Sequence, residues 1–250
     1  MWRLLLVALI STFPCPARAS DADVMLYVHG AGKKQSIGGG TFVKNPKSGK
    51  VYLLTVTHVL DNADQSNTSY IEYTFQEESY GKHSTAILLP AQNRRILARN
   101  SEAVLIPIDK PNEAIPPTDL HSYFHSYEYI EAIAEPLALD TDSLSKGEKV
   151  EVCSYGRAAS SVSLESKNRY VREVLKVIGD GKQANNGEAT YVAKLTASQT
   201  ITHGSSGSGV KRVSDGRIVG AIVGGGVYSK SGSPAYSIMS LGSWDFSQVP

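Results

Sequence analysis

Short runs rich in Val, Ile, Leu and Tyr recur along this chain, and Gly, Asn, Asp, Pro or Ser cuts each one off within a strand's length. They fall at 24–30, 40–44, 50–56, 70–75, 84–89, 103–108, 148–154 and 170–178. Segments of that length and composition, bounded by turn formers, read as β-strands. No heptad pattern, internal repeat or later membrane-length apolar run competes with them. Helix signals are weak and reduce to a short turn at 58–64. The least readable stretch is 115–142, where aromatics and histidines interleave, so it reads either as an insert or as a connection between halves. The direct reading is an all-β chain.

Two motifs carry chemistry. The first is His203-Gly204-Ser205-Ser206-Gly207-Ser208-Gly209-Val210, set between strand-like segments at 191–195 and 217–223. Glycines on both sides of Ser206 let the backbone turn sharply and hold a hydroxyl forward. The same turn can aim the N–H groups of Gly204 and Ser206 at one point, the geometry of an oxyanion hole. A flexible Gly/Ser linker is the bland alternative, but the run is short and its flanks are strand-like. The second motif is Leu53-Leu54-Thr55-Val56-Thr57-His58, a histidine at the end of an apolar strand, with Gly38-Gly39-Gly40-Thr41-Phe42-Val43 as a strand to pair with it.

Together these resemble the trypsin-like, chymotrypsin-fold serine peptidases, in which Thr-Ala-Ala-His carries the base and Gly-x-Ser-Gly the nucleophile. Thr55-Val56-Thr57-His58 and Gly204-Ser205-Ser206-Gly207 match those motifs, in the order base, acid, nucleophile. The resemblance implies two six-stranded antiparallel β-barrels with the active site in the cleft between them. It divides the chain into residues 20–125 and 126–250, with the passage between halves inside 110–145. It implies a serine endopeptidase that needs no cofactor and no metal, with His58 as general base and Ser206 as nucleophile. Gly204 and Ser206 supply the oxyanion donors. The family's acid heads a strand reading Asp-Ile-Ala-Leu-Leu; the similar stretch here is Asn100-Ser101-Glu102-Ala103-Val104-Leu105. Aligning on the alanine puts Ser101 at the acid position, and a shift by one puts Glu102 there. Because faces alternate along a strand, Glu102 as the acid leaves Ala103 and Leu105 on the core face, and this register is preferred. Neither register gives an aspartate.

The same resemblance maps the substrate pocket to Thr200, Ile201, Gly224 and Gly225, which implies small or medium uncharged residues before the scissile bond. Ser205 stands where many animal members place an aspartate that pairs with a freed N-terminus. The oxyanion loop must then be held by its own bonds, as in bacterial glutamyl-endopeptidase-like members, whose motif Ser206-Gly207-Ser208 resembles most. Those members use a histidine on the later strand where this chain has Ile222.

The chain opens with a short basic stretch, Met1-Trp2-Arg3, an apolar run from Leu4 to Phe13, and the small-x-small pattern Ala17-Arg18-Ala19. This reads as a signal peptide over residues 1–19, against an N-terminal membrane anchor as the alternative, and places the protein in the periplasm or outside the cell. N-terminal sequencing of exported protein is expected to begin at or near Ser20. A retained Met1 would contradict this. Cys15 leaves with the signal, so Cys153 has no internal partner and reads as a partly buried, inert thiol. Processing leaves about 230 residues, enough for one large core or two small ones.

With 25 basic and 24 acidic side chains the charge is nearly balanced, so neither nucleic acid nor an anionic membrane is implied as a partner. The partner expected is a peptide or protein substrate. His121 and His125 stand four apart, but no motif completes a metal site with them. Two other classes remain in view: a catalytically dead peptidase homologue that binds peptides or partners, and a plain β-barrel adhesion or structural module.

Overall fold

The structure is a computed structural model and describes residues 22–29, 35–60, 70–75, 85–88, 95–96, 102–110, 127–138, 144–157, 168–182, 189–195, 204–228 and 234–240. The expected signal segment lies outside the described residues, as do Ser101, His121, His125, Thr200, Ile201 and His203.

Strands dominate. The N-terminal half holds β1 (Asp23–His29), β2 (Gln35–Lys44), β3 (Val51–Val56), β4 (Tyr70–Phe75), β5 (Thr85–Leu88), β6 (Arg95–Ile96) and β7 (Ala103–Pro107). They form an antiparallel sheet in the order β5-β4-β1-β2-β3-β7-β6. The C-terminal half holds β9 (Lys149–Arg157), β10 (Asn168–Lys182), β11 (Ala189–Leu195), β12 (Gly209–Arg212), β13 (Ile218–Tyr228) and β14 (Pro234–Ser240). These close into a six-stranded barrel in the order β10-β11-β14-β13-β12-β9. The expected all-β class holds, and the strands read from composition recur within a few residues of their expected limits.

Alternation explains how each strand serves the core. On β1, Val24, Leu26 and Val28 enter the main N-terminal cluster, while Met25 and Tyr27 form a small cluster of their own on the other face. Phe42, Tyr73 and Phe75 meet in that main cluster, with Tyr73 edge-on to Phe42 at a centroid distance of 5.2 Å, a favoured geometry for aromatic pairs. Strand β13 is shared. Ile218, Ala221 and Val223 belong to the N-terminal cluster, and Val219 and Ile222 to the barrel's. One strand therefore walls both cores, which fixes the two halves against each other.

The stretch between the halves contains a helix, α2 (Tyr127–Ile133), preceded in the chain by a one-turn helix, α1 (Thr57–Leu60). Tyr127, Ile130, Ile133 and Ala134 pack on the N-terminal cluster, at the spacing of one helical face. The two-residue strand β8 (Glu135–Pro136) then pairs parallel to β2. Leu137 belongs to the N-terminal cluster and Ala138 to the barrel's, so the chain passes from one core to the other there.

On β10, Leu175 and Val177 face the barrel interior, and so does Glu173, which is 6 % exposed and opposite Val152. Neither carboxylate oxygen of Glu173 has a hydrogen-bond partner among the described residues. Burial raises its pKa above the ordinary 4.5, because desolvation penalises the charged form. The folded state thus holds this proton more tightly than the unfolded chain. Stability from this site is complete below the unfolded value and lost as pH rises through the raised folded value. Glu173→Gln is expected to raise the melting temperature at neutral pH, by about 2–4 °C per kcal/mol gained, and to flatten its fall with pH. Thermal melts across the pH range check this; a lower melting temperature for the variant at neutral pH would contradict it.

Cys153 is buried on β9. Its thiol faces with Glu151, away from Val150 and Val152, as strand alternation requires.

Candidate active site

The sheet register brings the expected base, His58, and the expected acid, Glu102, together. Strand β3 pairs with β7 so that Val56 lies opposite Ala103. One residue beyond that pair the chains remain joined, since Thr57 donates to the Glu102 carbonyl through both its N–H (2.5 Å) and its hydroxyl (3.0 Å). The next residue on the first strand is His58. Helix α1 turns it toward Glu102, while Val59 and Leu60 anchor the turn in the core. His58 Nδ1 lies 3.0 Å from Glu102 Oε2. A carboxylate only accepts, so Nδ1 carries the hydrogen and Nε2 keeps its lone pair for another proton. The pair is open to solvent, with His58 40 % and Glu102 25 % exposed.

Ser206 sits in the turn leading into β12. Gly204 and Gly207 adopt φ of 99° and 95°, values that side-chain-bearing residues rarely take. Ser208 N–H donates to the Ser205 carbonyl (3.1 Å) and Gly207 N–H to that of Ile222 (2.8 Å). The N–H groups of Gly204 and Ser206 have no acceptor among the described residues. Those are the two donors an oxyanion would need. The Ser206 hydroxyl is directed at the Val223 carbonyl oxygen, 3.5 Å away, a long contact that a change of rotamer would release.

The turn is also held by the N-terminal half, which the sequence did not reveal. Gly39 N–H donates to the Ser206 carbonyl (2.7 Å), and the Gly39 carbonyl accepts from Thr55 Oγ1 (2.9 Å). The approach is so close that a Cβ on Gly207 would stand 2.2 Å from the Gly39 oxygen. A Cβ on Gly39 would stand 2.2 Å from Ser208 Oγ. Gly39 is therefore a site of close backbone approach, while a Cβ on Gly40 would meet Leu26 and Leu53 of its own half. Beyond it, Gly209 N–H donates to Thr41 Oγ1 (2.8 Å), which donates to Asp23 Oδ1 (2.5 Å). The expectation that the loop is held by its own bonds covers only the Ser205–Ser208 link.

Gly224 follows Val223 on β13, and a Cβ there would meet no atom of the described residues within 4 Å, so among them the strand beside Ser206 borders open space. Gly225 pairs with Tyr236 of β14. Thr200 and Ile201, the other expected pocket residues, lie outside the described residues, as does the alternative acid Ser101. No group of three or more metal-binding side chains occurs among the described residues. No helix among them is long and apolar enough to cross a membrane.

No family model matches the chain. No curated protein matches it either. Solved structures do. The scabies mite inactivated protease paralogue S-I1 superposes with a TM-score of 0.57 at 14 % identity, covering 90 % of this chain and 91 % of that one. The thermostable serine protease AL20 from an extremophilic microorganism gives 0.55 at 10 %, over 88 % and 91 %. The HtrA-type protease AlgW with a tripeptide gives 0.52 at 17 %, over 88 % of this chain and 57 % of that one. The chain thus spans little more than half of AlgW. At these identities the likeness establishes the fold, that of the chymotrypsin-like serine proteases. The set includes an inactivated member, so the fold leaves the chemistry to the side chains.

Proposed function

We propose that the protein is a serine endopeptidase acting through an acyl-enzyme on Ser206. The observation that carries this reading is the His58 Nδ1–Glu102 Oε2 contact at 3.0 Å, which orients a histidine whose free Nε2 can serve as a base. Ser206 Oγ attacks the scissile carbonyl carbon as its proton passes to His58 Nε2. The oxyanion that forms takes hydrogen bonds from the Gly204 and Ser206 N–H groups. When the C–N bond breaks, His58 returns the proton to the departing amine, leaving an ester on Ser206. Water repeats the sequence and releases the acid. Glu102 keeps the imidazole in the working tautomer and stabilises the imidazolium. The side chain before the scissile bond sits along Gly224 and Gly225 with Thr200 and Ile201, favouring small or medium uncharged residues. The likeness of Ser206-Gly207-Ser208 to bacterial glutamyl-endopeptidase-like members and the signal-like N-terminus support an exported enzyme of bacterial type.

Incubation with a peptide library, followed by sequencing of the new termini, tests this. The expected result is cleavage after small uncharged residues, unaffected by a metal chelator. Dominant cleavage after Arg or Lys would show that the pocket is assigned wrongly, and no cleavage would count against the activity itself. A second reading, a peptidase fold retained for binding, draws on the Ser206 hydroxyl, which is directed at the Val223 carbonyl oxygen.

A further inference from the structure

We propose that Asp23 and Thr41 position the Ser206 turn, so that strand β1 sets the rate at which the serine is acylated. This rests on the peptidase reading above. Asp23 and Thr41 are direct cross-strand partners on β1 and β2, and both are buried, at 5 % and 1 % exposure. A hydroxyl has one hydrogen. Thr41 Oγ1 donates it to Asp23 Oδ1 at 2.5 Å, which leaves lone pairs on that oxygen for the Gly209 N–H at 2.8 Å. The carboxylate thus fixes the direction of the hydroxyl, and the hydroxyl fixes the first residue of β12. A buried carboxylate is costly to keep, and here it receives the hydroxyl that in turn holds the segment carrying the nucleophile.

The arrangement is a two-point clamp. Gly39 and Thr41 lie two apart on β2 and project to the same side. Gly39 N–H holds the Ser206 carbonyl, and Thr41 Oγ1 holds the Gly209 N–H. Between these two points lie Gly207, at φ 95°, and Ser208. The first grip is made by backbone alone, but the second depends on two side chains. Without it the turn is attached to β2 at one end only and rests otherwise on its bonds with Ile222 of β13, so the aim of the Ser206 N–H is less firmly fixed. Oxyanion donors act through geometry set beforehand, and a misplacement of about 1 Å can lower a rate by roughly 10²-fold. A chain with no aspartate before its nucleophile would thereby hold its turn through an aspartate on β1.

The test measures acylation by a fluorophosphonate and hydrolysis of a peptide ester, far below the melting temperature, for the unmodified protein, Thr41→Val and Thr41→Ser. Thr41→Val is expected to lower the acylation rate and kcat by about 10²-fold with KM little changed, and Thr41→Ser, which restores the hydroxyl, to recover both. A purely structural role would lower the melting temperature of Thr41→Val and leave kcat intact, which would overturn the proposal. Should Thr41→Val fail to fold, amide exchange of Gly209 in the unmodified protein decides. Exchange as slow as that of the barrel strands is expected, and exchange as fast as that of an exposed turn overturns it. If the unmodified protein reacts and Thr41→Val reacts equally fast, this proposal alone fails. If the unmodified protein is inert to the probe, the peptidase reading fails and the proposal with it.

Discussion

Glu102→Gln is expected to lower kcat by about 10⁴, the scale seen when a triad carboxylate loses its charge, while leaving the melting temperature close to that of the unmodified protein. The two halves of this expectation have different causes. Glutamine keeps the shape, but its amide can donate to Nδ1. The hydrogen would then move to Nε2, the nitrogen that must be free to take a proton from Ser206. The imidazolium formed on attack would also lose its counter-charge. Stability should change little because the pair is solvent-exposed, with His58 at 40 % and Glu102 at 25 %, and such pairs contribute only about 0–1 kcal/mol. Steady-state kinetics with a peptide ester, paired with thermal melts, measure both. Ser101→Ala should cost little. A large loss at Ser101 with little at Glu102 would mean that Ser101 is the partner of His58 and that the 3.0 Å contact has no part in catalysis.

Ser206→Ala is expected to have the largest effect, a fall in kcat on the order of 10⁶ by analogy with nucleophile loss from a triad on another fold. The turn should survive the change. Its shape is set by the φ angles of Gly204 and Gly207, by backbone bonds from Gly39 and to Ile222 and by the bond from Gly209 to Thr41, none of which uses the Ser206 hydroxyl. The variant should therefore fold and melt like its parent. Appreciable residual turnover, beyond what the oxyanion donors and binding alone sustain, would mean that another group attacks the substrate.

Much of the fold was legible because the strands announce themselves. Runs such as Val51–Val56 and Ala103–Pro107 need only β-branched and aliphatic content, bounded by turn formers, to be read. Helix α2 is not legible in the sequence, although Tyr127, Ile130 and Ile133 keep a helical spacing. Its seven residues are too short for a periodicity to stand out from acidic and aromatic neighbours. The stretch around Glu102 carries a sequence signal for the acid, but strand alternation does not fix the register. Ala103, Val104, Leu105 and Ile106 are all buried, so both faces of β7 are covered and burial does not separate the two registers. What places Glu102 is the pairing of Val56 with Ala103, which sequence does not supply. The same reason hides Asp23 and Thr41. Nothing in their types distinguishes them, and their meeting with Gly209 depends on two registers and on the docking of one half against the other. Glycine, by contrast, left a trace. Within the run Gly38-Gly39-Gly40, Gly38 and Gly39 lack side chains where a loop from the other half presses on the strand.

The central claim is that Ser206 is an activated nucleophile with His58 and Glu102 behind it. The most direct measurement treats the unmodified protein with a fluorophosphonate and maps the adduct by peptide mass spectrometry. The account predicts a single phosphonylated residue, Ser206, formed by the folded protein and lost on denaturation. A folded protein that takes no label, or takes it at another serine, would contradict it and leave the fold serving binding instead of hydrolysis.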